Sequence, residues 1–215
     1  MERDKPQFII GVDPDVERNG IALLDTEEKS FGLIRALSFS NVIPLLGEIH
    51  ATAEAFDEKV VMVLEDSDST TNWHLKSLAE SKMKLESKLR KAAAIGHGSG
   101  MCHATQRHLE EIAKTLGIEV VKVKPLKKTW LGKDGKITHE ELAQFVPDLP
   151  ETTNQECRDA ALLAWCYAKL PIHIPAGFYE KYWNKHLYKK VHEHIDKTTA
   201  HNLRVLHNIT KSDKK

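Results

Sequence analysis

The sequence predicts an α/β protein: a mixed five-stranded sheet, with three antiparallel strands followed by parallel additions, flanked by helices. Three observations predict it. Apolar segments of strand length lie at 8–13, 20–25, 31–39, 60–64 and 118–124. The first three are separated by short polar turns, which makes them an antiparallel meander. The later two follow stretches with helical patterning.

Residues 8–13 (FIIGVD) are apolar and β-branched and end in Asp13, as a buried strand would. Residues 14–19 (PDVERN) carry turn chemistry, and 20–25 (GIALLD) and 31–39 (FGLIRALSF) form the second and third strands. Asn41 is placed to cap a helix to about Phe56, with Val42, Leu45, Leu46 and Ile49 on one face. Residues 60–64 (VVMVL) suit a central strand, with Glu65 at its C-terminal end. A basic helix spans 74–94, and the segment GHGSG at 96–100 is expected to break it. A further helix runs from about Met101 to Leu116, stopped by Gly117.

Residues 118–124 alternate as a fifth strand, ended by Pro125. Residues 126–137 are a basic, glycine-containing loop. Thr138 starts a short helix to about Val146, and Glu141 three residues on completes a capping box. After a Pro-punctuated loop, 155–169 is an apolar helix with its acidic residues in the first turn, and Pro171 and Pro175 close the core. The expected organisation is one domain over 1–176 and a basic, His- and aromatic-containing C-terminal extension over 177–215. From residue 178 onward nine Lys/Arg face four Asp/Glu. That composition suits an amphipathic helix with a frayed end, or an auxiliary nucleic-acid or partner contact.

The chain has 215 residues, 41% hydrophobic, with 31 Lys plus Arg against 31 Asp plus Glu. Zero net charge excludes a histone-like, wholly polyanion-coating protein. It leaves a nucleic-acid enzyme open, because charge can be segregated by region. Three cysteines without a Cys-x-x-Cys pair argue against a disulfide scaffold and a structural zinc cage. No run approaches ~18 apolar residues and no signal-peptide pattern opens the chain, so the reading is cytoplasmic with no membrane partner.

The informative pattern is where the acids lie. Asp13 ends the first strand and Glu65 the fourth, and these strands are plausible neighbours. Glu156 and Asp159 are spaced i, i+3 and share a face of the final helix, whose N-terminal turn can pack on the same edge. Singly, such acids are ordinary caps or macrodipole partners. Together they repel: at an effective dielectric of about 20, each pair ~4 Å apart costs about 4 kcal/mol. A cluster of this kind persists by binding cations or by protonating. Hard oxygen donors without nearby Cys or His favour Mg²⁺ or Mn²⁺, and two such ions ~4 Å apart can hold a phosphodiester in line.

Segments 9–25 (IIGVDPDVERNGIALLD), 60–66 (VVMVLED), 100–146 and 155–168 (QECRDAALLAWCYA) resemble, in order, the motifs of the RuvC-type Holliday junction resolvases. The similarity runs from about 8 to 170. It implies an RNase H-like fold, a homodimer, and Mg²⁺-dependent cutting of four-way DNA junctions in recombination and repair, in a bacterial, phage or mobile-element setting. Carried over, Asp13, Glu65, Glu156 and Asp159 are the metal ligands for two Mg²⁺ ions, with Mn²⁺ as a substitute. The family's basic loop residues fall on Lys128 and Lys136, with Lys127 and Lys133 as alternatives. Asp15 stands where the family has glycine, and the stretch from Glu65 to Gly100 is longer than in the bacterial enzyme.

Other residues have two readings. The basic residues of 76–91 form a solvated face or contact DNA phosphates. Trp73 packs internally or stacks on an opened junction. Trp130 is placed to anchor the basic loop. His97 and His103 are candidates for hinge or phosphate contacts, and His192 with His194 make a weak metal pair. The alternatives to a junction endonuclease are another RNase H-like nuclease, acting on branched DNA or an RNA–DNA hybrid, and a non-catalytic nucleic-acid-binding module. A sugar-kinase-like ATPase is disfavoured, because Asp13-Pro14-Asp15 lacks the glycine-rich phosphate loop.

Overall fold

Strand β1 (Phe8–Asp13) pairs antiparallel with β2 (Asn19–Asp25), and β2 pairs antiparallel with β3 (Ser30–Leu37). On its other edge β1 pairs parallel with β4 (Val60–Glu65), and β4 parallel with β5 (Glu119–Val123). The order β3-β2-β1-β4-β5, with β2 alone running against the rest, is the RNase H-like mixed sheet that the sequence predicts. The structure, a computed structural model, describes residues 6–66, 73–175 and 177–181, without the side chains of 73–76. Thr70 to Asn72, the Trp73 side chain, and the extension from 182 with His192 and His194 lie outside the described residues.

Among the described residues five α-helices accompany the sheet: α1 (Phe39–Ala55), α2 (Trp73–Glu80), α3 (Leu85–Thr115), α4 (His139–Leu142) and α5 (Gln155–Tyr167). Alternate residues of the central strands feed two cores. Ile9, Val61 and Val63 pack with α5 on one face, and Ile10, Val12, Met62 and Leu64 with α1 and the C-terminal part of α3 on the other. Burial on both faces explains why β1 and β4 read as continuous apolar runs. Each fully buried Ile, Leu or Val contributes about 1.5–3 kcal/mol.

Four expectations are corrected. GHGSG does not break a helix, because α3 runs through it. Without a proline, each glycine costs only about 1 kcal/mol against alanine, and the helix is anchored further on by buried Leu109 and Ala113. The break falls earlier, at residues 81–84, where the Ser81 hydroxyl donates to Leu78 O at 2.7 Å and closes α2. Asn41 does not cap α1. The helix starts at Phe39, which packs into the α1-side core, and the Asn41 amide donates to Ser38 O at 2.9 Å. Helix α4 is one turn rather than two, although Thr138 and Glu141 form the expected capping box. In α5 only Glu156 is in the first turn, and Asp159 lies one turn deeper.

The chain divides into two units at Ile172/His173. The sheet and its helices belong to the first. In the second, Phe178 and Tyr179 pack edge to face, with ring centroids 5.3 Å apart. The cysteines are free, with Cys157 buried and Cys102 and Cys166 half-buried. Among the described residues no helix is long and apolar enough to cross a membrane.

Candidate active site

The parallel register pairs Val12 with Leu64, so Asp13 and Glu65 emerge side by side from the same end of β1 and β4. Strand alternation turns both toward the face that carries Ile9, Val61 and Val63, where α5 packs. That helix reaches the sheet because two glycines let it. A Cβ on Gly11 would lie 2.2 Å from Ala160 O, and one on Gly20 would lie 2.0 Å from Glu156 O. Backbone-to-backbone approach at these two points brings Asp159 to the ends of β1 and β4.

Asp13, Glu65 and Asp159 line a pocket of about 110 Å³. Lys127, Lys128, Trp130 and Lys136 from the loop after β5 line the same pocket. Lys136 Nζ donates to Asp159 Oδ2 at 2.6 Å, and Gln155 Nε2 donates to Asp159 Oδ1 at 2.8 Å. Burial pushes the Asp13 carboxyl well above its ordinary range, and the charges of Asp159, Glu65 and Glu156 push it further, against the pull of Lys136. Glu65 is raised for the same reasons: burial first, then Asp159. Burial alone would lower the Lys136 pKa, but the hydrogen bond to Asp159 and the surrounding carboxylates raise it overall.

The four acids are not equivalent in placement. Glu156 is half-buried on the same helix as Asp159, and its charge acts on Asp13, but its side chain does not line the pocket. Lys128 and Lys136 line it, as does Lys127, whereas Lys133, in the short turn Lys133–Gly135, is not among the lining residues. His97 and His103 lie on α3 and are not among the lining residues. Trp130 is partly buried and stacks on Phe145, with centroids 6.3 Å apart, which fixes the loop to the α5-side core.

Asp15, at the position where the resembled motif has glycine, builds a turn. Its Oδ1 accepts from the amides of Glu17 at 2.9 Å and Arg18 at 3.4 Å. Fully buried Asn19 accepts from the Asp15 amide at 3.2 Å and donates to Leu37 O at 3.5 Å. The added carboxylate therefore holds the β1–β2 turn beside Asp13. Sequence reasoning missed Gln155 and the close-approach roles of Gly11 and Gly20. Gln155 stands four residues before Asp159 in a helix, a spacing that signals a side-chain pair.

Carboxylate oxygens are the donors that a hard divalent cation takes. Two carboxyls are kept from ionising freely by burial and by their neighbours, which a cation of higher charge would reverse. In this structure the cation they gather around is the Lys136 ammonium. Among the described residues, no three His, Cys, Asp or Glu side chains stand close enough to hold a metal ion as they are.

Fold and site together define an RNase H-like α/β protein with a carboxylate–lysine pocket at the ends of two parallel strands. No family model matches the sequence, and no curated protein matches it. Among solved structures the chain is similar to T. thermophilus RuvC in complex with Holliday junction substrate, with a TM-score of 0.47 and 11% identity. The match covers 75% of this chain and 92% of that one.

Proposed function

We propose that this protein is a metal-dependent, structure-selective endodeoxyribonuclease that cuts four-way DNA junctions as a homodimer. The observation that carries the proposal is the convergence of Asp13, Glu65 and Asp159 with Lys128 and Lys136 on one pocket. Acids and lysines that line one pocket suit a phosphodiester, whose oxygens need positive charge beside them while water is activated.

Asp13, Glu65 and Asp159, with Glu156 beside them, are the residues to hold Mg²⁺, or Mn²⁺ in its place. Bound divalent ions supply Lewis-acid charge and lower the pKa of water. The chain's own groups do the rest. Burial and neighbouring charge raise the Asp13 and Glu65 carboxyls, and a bound cation favours their ionised forms. Lys136 neutralises Asp159, and Lys128 presents an ammonium to an entering ester. Trp130 forms an apolar part of the pocket and limits water.

Junction selectivity rests on the motif resemblance over 8–170. The exposed lysines Lys82, Lys84 and Lys91 on and before α3 add a surface for DNA-arm phosphates. Residues 1–176 carry the chemistry in this reading, and the basic stretch 177–215 is an auxiliary contact.

The test is a substrate panel in Mg²⁺: a synthetic four-way junction, linear duplex, a flap and an RNA–DNA hybrid. Paired symmetric nicks confined to the junction support the proposal. Cutting of the flap or the hybrid instead keeps the carboxylate site and overturns the substrate. Tight junction binding without cutting in Mg²⁺ or Mn²⁺ points to a binding module.

A further inference from the structure

Glu141 is a fully buried carboxylate outside the pocket. As part of a capping box it accepts from the Thr138 amide at 3.0 Å, and the Glu141 amide donates to Thr138 Oγ1 at 3.1 Å. A helix cap requires nothing more. Yet both Glu141 oxygens also accept from the Leu131 amide, each at 3.1 Å, and Oε2 accepts from the Thr138 hydroxyl at 3.0 Å. One side chain thus ties together Leu131 and Thr138, the two ends of the segment that carries Lys136.

The same segment is tied to Lys128. The Trp130 amide donates to Gly135 O at 3.0 Å, and the Gly132 amide donates to Lys136 O at 2.9 Å. Gly135, at φ +75°, packs so closely that a Cβ would lie 2.5 Å from Lys128 O. The backbone of Lys128 and Lys136 therefore belongs to one closed unit, and Glu141 closes its neck. The carboxylate oxygens offer acceptors to all three donors at once. Glutamine would turn an NH₂ toward at least one N–H or O–H.

We infer that Glu141 is a positioning residue that holds the lysine-bearing loop in register and acts on the chemistry through Lys136 and Lys128. The inference deepens the reading of the pocket as a nuclease site and, for its catalytic part, rests on it.

The experiment uses the full-length chain as wild type, Glu141→Gln and Thr138→Ala, the last weakening the cap but leaving the Leu131 contact. Hydrogen exchange of the backbone is read first. In Glu141→Gln the amides of 131–136 exchange about tenfold faster or more, as a lost buried hydrogen bond gives, while β1 and α5 are unchanged. Thr138→Ala shows a smaller loop effect. Unchanged loop exchange, or faster exchange spread over the whole sheet, overturns the inference. This readout does not depend on catalysis, so it decides the loop's state even if the wild type cuts no junction.

Where the wild type cuts, Glu141→Gln lowers the rate at saturating junction by up to about 100-fold, the cost of an ångström of misplacement, with little change in KM. In a background carrying both Lys128→Met and Lys136→Met the same change alters the rate by less than about twofold. A full, multiplicative loss in that background overturns the inference.

Discussion

Lys136 donates to Asp159 across 2.6 Å, joining the loop after β5 to the second turn of α5. The bond joins two residues that line the pocket. It sets an ammonium against Asp159, where the charges of Asp13 and Glu65 also act on it, and it ties the loop to α5. Both features bear on the behaviour of the site when its charge changes.

Replacing Asp13 by asparagine stabilises the metal-free protein at neutral pH. Its carboxyl is raised in the folded state by burial, then by Asp159 and Glu65. The folded state therefore binds the proton more tightly than the unfolded chain. The stability this provides is fully present below the unfolded pKa of ~3.9 and is lost as pH rises through the folded value. Thermal melts in EDTA between pH 4 and 8 should show Asp13→Asn gaining on wild type as pH rises. At pH 7 the gain is roughly 2–4 °C, which corresponds to ~1 kcal/mol in a chain of this size. A variant that melts below wild type at every pH contradicts the assignment.

On the proposed reading, Mg²⁺ binding should release protons and weaken as pH falls, because Asp13 and Glu65 would ionise to hold the ion and both carboxyls are raised. Calorimetry in buffers of different ionisation heat should therefore report proton release. The same titration on Asp13→Asn should show less of it. Identical heats in all buffers contradict the account.

Gly20→Ala and Gly11→Ala act on the site through backbone packing. The new methyl meets Glu156 O or Ala160 O at 2.0 or 2.2 Å, so α5 must shift. Overpacking of this kind costs about 1–3 kcal/mol, and the shift carries Asp159 away from Asp13. Both variants should melt several degrees lower and cut more slowly. Gly32→Ala, where a Cβ meets nothing within 4 Å, should stay within about 0.5 kcal/mol of wild type.

Much of the fold was legible because its signals are local. Apolar runs 8–13 and 60–64 could only be buried strands, and Asp13 and Glu65 at their ends needed only the right neighbour relation to meet. The capping box of Thr138 and Glu141 was readable for the same reason. GHGSG was misread because glycine is a weak local signal, which the anchoring of α3 at Leu109 and Ala113 overrides. The second tie of Glu141, to Leu131, was invisible because it links ends of a loop whose course no periodicity encodes. The clearances at Gly11 and Gly20 likewise depend on what α5 brings opposite them.

The most direct test of the central claim is single-turnover cleavage of a saturating four-way junction by wild type and Asp13→Asn, each in Mg²⁺ and in EDTA. The account predicts paired nicks by wild type in Mg²⁺ and none in EDTA. It predicts that Asp13→Asn binds the junction but cuts it at least about 100-fold more slowly, the loss expected when a main electrostatic element is removed. Because that variant is predicted to be the more stable protein, unfolding could not explain the loss. Cleavage that persists in EDTA, or a variant that cuts at the wild-type rate, would contradict a metal-dependent site built on Asp13.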